Sequence, residues 1–167
     1  MCIRDSDFPV LVRVTHFSSV TILQALDMGA VGVIAPHIIN ANQAADLVKL
    51  SHFGNGGRGF AGATRWAGYG QKTMAEVLAQ SDRETVVIAQ IEEPEALANV
   101  EEIASIEGID GLFLGPSDMS VSMGHSNTNS QELLDALKRV GEASLAAGKA
   151  YMTSVSYTHL TLPTKRI

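Results

Sequence analysis

Two carboxylates, Glu92 and Asp118, are the residues of this 167-residue chain whose setting most favours chemistry. Each follows a short apolar run typical of a buried strand, and a helical pattern follows each of them. We therefore expect both at the carboxyl ends of parallel strands, where α/β folds bind ligands. Two hard oxygen ligands on adjacent loops suit Mg²⁺ or Mn²⁺, which binds few protein carboxylates and completes its shell with substrate and water. The pair predicts a metal-assisted enzyme.

Strand-like and helical patterns alternate along the chain, which predicts a parallel sheet with right-handed crossovers. The sheet is either open and doubly wound or part of a (β/α)₈ barrel, and the absence of Gly-x-Gly-x-x-Gly after the first strand favours the barrel. The strands are predicted at 9–14, 31–35, 85–91, 111–114 and 150–155. The helices are predicted at 18–28, 40–53, with Asn40 as N-cap, 93–106 and 130–147.

A complete (β/α)₈ barrel needs about 200 to 250 residues, so five strands predict an incomplete barrel of about five βα units. We expect this partial barrel domain to span residues 7–155. Residues 1–6 and 156–167 match nothing in the periodic pattern and resemble translated sequencing-adapter DNA, so we interpret them as non-native tails. The alternative is an ordinary disordered terminus.

Composition argues for small-molecule chemistry. The net charge is −6 and the 12 Lys and Arg residues are scattered, which argues against binding to nucleic acid or an anionic membrane. The single Cys2 cannot form an internal disulfide, and the sequence shows no signal-peptide pattern and no apolar run of about 18 residues. These features predict a cytoplasmic protein.

Other residues fall on the same predicted rim. Arg13 lies near the end of the first strand, where a guanidinium flanked by apolar residues favours an anionic partner, either a substrate carboxylate or a structural ion pair. Gly115-Pro116-Ser117 can present backbone N–H groups to a carboxylate or enolate oxygen. Glu92 could instead complement a helix dipole, and Asp118 could serve as the N-cap of a short helix.

These motifs, in this order, resemble the HpcH/HpaI family of class II pyruvate aldolases over nearly all of residues 7–155. The matching pieces are Arg13 in its Val-Arg-Val strand, Asp27-Met28-Gly29-Ala30, the run ending in Ala35-Pro36, Arg58-Gly59, Thr64-Arg65-Trp66, Gln90-Ile91-Glu92, Gly115 to Ser120 and Ser122-Met123-Gly124.

The resemblance implies a (β/α)₈ aldolase that cleaves 4-hydroxy-2-oxo acids to pyruvate and an aldehyde through a metal-stabilised pyruvate enolate. It implies Glu92 and Asp118 as ligands of Mg²⁺, Mn²⁺ or Co²⁺, and Arg13 as the residue that binds and stabilises the enolate. Pyruvate would also be bound by Gln90, Gly115, Pro116 and Ser117. A homo-oligomer, hexameric in the family, is implied for the intact protein.

One departure concerns the general base. The resemblance implies a His on a loop near an earlier strand, and the similarity begins only at Asp7, so we expect that residue to be missing. His16 and His37 follow strands and are expected to be solvated loop residues. The glycine-rich segment, residues 54–70, is expected to be a mobile active-site loop that also reaches a neighbouring subunit.

Two other functions stay open. A citrate-lyase-β-like thioester lyase also pairs a Glu with an Asp on similar strands. A truncated chain, in contrast, could be inactive because five strands leave an unclosed core. The aldehyde partner and the metal are not determined by the sequence.

Overall fold

The computed structural model describes residues 8–154, and five parallel strands form one sheet in it. The strands are β1 (Leu11–Arg13), β2 (Gly32–Ala35), β3 (Val86–Ile91), β4 (Gly111–Leu114) and β5 (Ala150–Thr153). Their order across the sheet equals their order along the chain. Doubly wound sheets reverse that order at a switch point, whereas barrels do not. The expected partial barrel of five βα units is confirmed.

Seven helices connect the strands within the described residues. They are α1 (Ser19–Asp27), α2 (Ala41–Ser51), α3 (Met74–Glu84), α4 (Pro94–Ala98), α5 (Val100–Ser105), α6 (Pro116–Ser122) and α7 (Gln131–Ala146). The predicted N-cap Asn40 is confirmed, since its side chain accepts a hydrogen bond from the Gln43 N–H. The proposed tails 1–6 and 156–167, and the domain limits at 7 and 155, lie outside the described residues.

Two helical predictions need correction. The single helix expected over 93–106 is divided into α4 and α5 at Asn99, whose backbone is not helical (φ −104°, ψ 13°) and whose side chain donates to the Ile39 carbonyl at 2.9 Å. Helix α3 was not predicted, and a short helix at Asp118 was considered only as an alternative that would begin after Asp118. In α6, Gly115 is the N-cap and Asp118 is the third residue, so Asp118 is not the cap.

The two faces of the sheet have different surroundings. Along β3, Val87, Ala89 and Ile91 pack into the main hydrophobic core, which the helices share. Ile88 and Gln90 alternate with them and therefore point to the opposite face, which is the barrel interior. Glu92 continues this second series one residue past the end of β3. Strand alternation thus places Gln90 and Glu92 together on the barrel-interior face, at the carboxyl end of an otherwise apolar strand.

Strand register brings Arg13 to the same interior face. Arg13 pairs with Ile34, and Ile34 pairs with Ile88, so Arg13 lies level with Ile88 across the sheet. Gln90 is two residues further towards the carboxyl end, on the same face. A long arginine side chain on β1 can therefore reach the Gln90 amide. Within the same described range, no helix is long and apolar enough to cross a membrane.

Candidate active site

A chain of hydrogen bonds connects three of the predicted site residues. The Arg13 Nε donates to Gln90 Oε1 at 3.2 Å, and Gln90 Nε2 donates to Glu92 Oε2 at 2.5 Å. The Gln90 amide bridges the two charged groups, with its oxygen towards the Arg13 cation and its nitrogen towards the Glu92 carboxylate. The structure therefore brings together Arg13, Gln90 and Glu92, as the sequence predicted.

Glu92 is a buried carboxylate, with 1% of the residue exposed. Burial raises the pKa of Glu92 because the ionised form loses its hydration, and the negative charge of Asp118 raises it further. The His37 N–H, the His37 ring and the Arg13 charge oppose this shift without cancelling it. The carboxylate therefore lies in a setting where a nearby cation would strongly favour its ionised form.

His37 belongs to this site, although the sequence analysis assigned it to a solvated loop. Its side chain is 61% exposed, as expected for a loop residue, yet its backbone N–H donates to Glu92 Oε1 at 3.0 Å. Its Nδ1 lies 3.2 Å from the same oxygen and 2.8 Å from Glu93 Oε1. The sequence did contain a signal for this role, because His37 comes just after β2 and β2 pairs with β3, the strand that leads to Glu92.

The segment that follows β4 forms the second side of the site. Gly115 is packed so closely that an added Cβ would lie 3.0 Å from Gln90 Nε2 and 3.4 Å from Glu92 Oε2. Asp118, exposed in the first turn of α6, acts electrostatically on Glu92. The short Gly115 turn therefore brings α6 against the end of β3.

The backbone of this segment offers fewer donors than the sequence suggested. The Gly115 N–H already donates to the Ile91 carbonyl at 3.1 Å, and Pro116 has no N–H. Ser117 is exposed and lies in the first turn of α6, where a helix provides no backbone partner for N–H groups. Of the three residues, Ser117 is the one whose N–H lacks a backbone partner inside its helix.

The donor set fits a hard divalent cation. Glu92 and Asp118 supply carboxylate oxygens, which Mg²⁺ and Mn²⁺ prefer. No cluster of three or more His, Cys, Asp or Glu side chains suited to a metal occurs among residues 8–154. A cation held here would therefore take two protein ligands and leave positions for substrate and water, an arrangement typical of Mg²⁺ in enzymes.

The glycine-rich segment, residues 54–70, does not approach this site within its own chain. Arg65 packs against Gly29, which precedes β2, and Arg58 donates to Asp27 at the end of α1 at 2.6 Å. Both contacts lie at the amino ends of the strands, opposite Glu92. The expectation of an active-site loop is therefore wrong for contacts inside one chain, and the contact with a neighbouring subunit stays a prediction.

Sequence comparison identifies relatives of known activity. The sequence model of the HpcH/HpaI aldolase/citrate lyase family matches residues 1–162. A hydroxypyruvate/pyruvate aldolase of Delftia acidovorans is 37% identical over 146 residues, which covers 84% of this chain and 52% of that protein. A 4-hydroxy-2-oxovalerate aldolase of Novosphingobium aromaticivorans is 40% identical over 136 residues, covering 80% of this chain and 49% of that protein.

Structural comparison gives the same result. An HpcH/HpaI aldolase/citrate lyase family protein from Burkholderia cenocepacia superimposes with a TM-score of 0.80 at 33% identity, covering 86% of this chain and 57% of that one. An HpcH/HpaI aldolase from Desulfitobacterium hafniense gives a TM-score of 0.78 at 25% identity, with 87% and 56% coverage. The chain spans about half the length of the curated relatives it matches.

Proposed function

The chain belongs to the HpcH/HpaI aldolase/citrate lyase family, and on this basis we propose that it acts as a divalent-metal-dependent aldolase. The proposed reaction is cleavage of 4-hydroxy-2-oxo acids to pyruvate and an aldehyde. The observation that carries the proposal is the buried Glu92 carboxylate, held by Gln90 beside Asp118 and Arg13. The names of two relatives, a hydroxypyruvate/pyruvate aldolase and a 4-hydroxy-2-oxovalerate aldolase, support the substrate class.

Glu92 and Asp118 are the proposed ligands of Mg²⁺ or Mn²⁺, with Co²⁺ as a further candidate. When bound, such a cation supplies Lewis-acid stabilisation of negative charge on the substrate oxygens. The raised pKa of Glu92 supports this role, because burial and the charge of Asp118 both make an unneutralised carboxylate costly here.

Arg13 is proposed to bind the pyruvate oxygens and to stabilise the negative charge that develops on them when the carbon–carbon bond breaks. Its Nε is held by Gln90, so the same amide orients both the guanidinium and Glu92. The Ser117 N–H would bind the substrate carboxylate. Gly115 and Pro116 would shape this side of the pocket, because they bring no free N–H.

The proposal extends to the location of the protein in the cell and to its assembly. The protein is proposed to work in the cytoplasm on small-molecule substrates, in keeping with its net charge of −6 and its scattered Lys and Arg residues. It would assemble as a homo-oligomer through contacts that include the glycine-rich segment, whose exposed Phe60 and Tyr69 are available for such contacts.

The experiment compares two proteins: the 167-residue chain, and a chimaera in which residues 8–154 replace the matching part of the Delftia acidovorans relative. Pyruvate released from 4-hydroxy-2-oxovalerate is measured with Mn²⁺ and with a chelator. We expect metal-dependent pyruvate release by the chimaera. Glu92→Gln and Asp118→Asn should each lower kcat/KM by at least about 100-fold, whereas Glu95→Gln, at an exposed position of α4, should not.

A folded chimaera that releases no pyruvate from any 4-hydroxy-2-oxo acid would refute the aldolase assignment. Cleavage of a citryl or malyl thioester to an acetyl thioester and a 2-oxo acid by that protein would instead support the thioester lyase. If the chimaera is active and the 167-residue chain is not, the aldolase assignment holds and the activity requires the remaining strands.

A further inference from the structure

His37 has a backbone conformation that is unusual for its residue type. Its φ is +57°, in the left-handed region that glycine favours, and only one other non-glycine residue in the described part of the chain, Tyr69, has a positive φ. A left-handed conformation is unfavourable for a residue with a side chain, so it persists only where neighbouring contacts fix it. Strain of this kind is often found where a backbone group must point at a functional site.

The residues on either side of His37 hold the turn in place. Ile38 is completely buried, and the Ile39 N–H donates to Gln43 Oε1 at 2.9 Å. Ile39 also accepts the hydrogen bond from Asn99 through its carbonyl. The chain is therefore anchored directly after His37, and the left-handed residue turns its N–H towards β3.

The direction of that N–H has a specific consequence. It donates to Glu92 Oε1, and the ring of the same residue lies against this oxygen and against Glu93 Oε1. The other carboxylate oxygen, Oε2, receives the Gln90 amide and lies beside Gly115. Donors on both oxygens restrain the rotation of the carboxylate. Among the described residues, the recorded donors to Oε1 all come from His37.

We propose that His37 is a positioning residue for Glu92: its left-handed N–H and its ring, held by Glu93, fix the carboxylate in the orientation that a divalent cation requires. The inference rests on the proposed function, since it assumes that Glu92 binds the cation. It assigns no proton transfer to His37. Residues that orient metal-binding side chains typically contribute 10- to 100-fold to metal affinity.

The test measures the dissociation constant of Mn²⁺ by titration with the 167-residue chain, without substrate, using the electron paramagnetic resonance signal of free Mn²⁺. His37→Gly removes the ring, and with it the contacts that hold this residue against Glu92 and Glu93, and we expect the Kd to rise about tenfold. His37→Asn tolerates the left-handed backbone and keeps a polar side chain, so it should restore the Kd to within about threefold of wild type. Circular dichroism confirms that each variant is folded.

Tyr69→Gly is the matched control, because Tyr69 has a similar φ of +55° and is exposed in the glycine-rich segment at the other end of the strands. It should leave the Mn²⁺ Kd unchanged. If His37→Gly does not fold, Glu93→Gln replaces it, and a rise of about threefold in Kd is expected from the loosened ring.

The outcomes separate the two proposals. If wild type binds Mn²⁺ and Glu92→Gln does not, while His37→Gly binds within twofold of wild type, the positioning role is refuted and the metal site stands. If Glu92→Gln binds as tightly as wild type, the metal site itself is refuted, and the positioning role with it.

Discussion

The buried Glu92 carboxylate predicts a specific dependence of stability on pH. Burial, with the charge of Asp118, raises the pKa of Glu92 above its ordinary value of 4.5, while His37 and Arg13 pull it back. A glutamine at this position cannot ionise and keeps nearly the same shape. The difference in free energy of unfolding between the wild type and Glu92→Gln therefore measures the cost of ionising this one side chain in the metal-free protein.

The sign and size follow from the proton balance. Below pH 4.5 Glu92 is protonated in both states, and its contribution to stability is fully present. Between pH 4.5 and the raised pKa of Glu92 in the folded state, the unfolded chain has lost the proton that the folded chain retains. Stability of the wild type relative to Glu92→Gln then falls by up to about 1.4 kcal/mol per pH unit, and the loss is complete above the folded pKa.

The assay is urea denaturation of the wild type and Glu92→Gln at a series of pH values from about 4 to about 8, in the presence of a chelator. Glu95→Gln is the control, since it removes an exposed carboxylate from the first turn of α4 without touching the site. Mn²⁺ should reverse the fall for the wild type alone, because it binds the ionised form. A stability difference that does not vary with pH would refute the raised pKa.

Two further substitutions test the packing of the site and of the opposite end of the sheet. Gly115→Ala should push the Gln90 amide aside by a few tenths of an ångström and lower kcat/KM of the chimaera roughly tenfold with little change in stability, whereas Gly59→Ala, where nothing lies within 4 Å, should change neither. Asp27→Asn should destabilise the chain by about 3 kcal/mol in urea denaturation, because it leaves the buried Arg58 cation without its anion. The exposed Asp46→Asn should have no such effect, and an equal loss from both would contradict the buried-pair argument.

Sequence patterns were sufficient for the parts of the site that lie on strands. A side-chain period of two places Gln90 and Glu92 on the same face of β3, and the parallel register brings Arg13 to that face. The first conclusion is local, whereas the register of Arg13 depends on contacts between strands that are distant in the sequence, so for Arg13 the sequence predicted the rim and not the Gln90 partner. The apolar strands and the Asn40 cap were predictable for the same local reason.

Features that depend on turns were harder to predict. Helix α3 did carry a local signal that was missed, a capping box between Thr73 and Glu76. Helix α6 is only seven residues long, and the Pro116 at its first position is equally typical of a turn. The left-handed backbone of His37 depends on the anchoring of the residues after it, which no local pattern reveals.

The donors around Glu92 explain how a buried carboxylate can remain ready for a cation. A direct pair with Arg13 would neutralise Glu92, and a metal would then have to displace the guanidinium. Gln90 prevents this by standing between them, accepting from Arg13 and donating to Glu92. The Gln90 amide and the His37 peptide N–H are neutral donors that orient the carboxylate but leave its charge uncompensated. The site thus keeps a negative charge within the electrostatic reach of Asp118 and a positive charge one amide away. This arrangement would separate the proposed cation site from the proposed site for an anionic substrate.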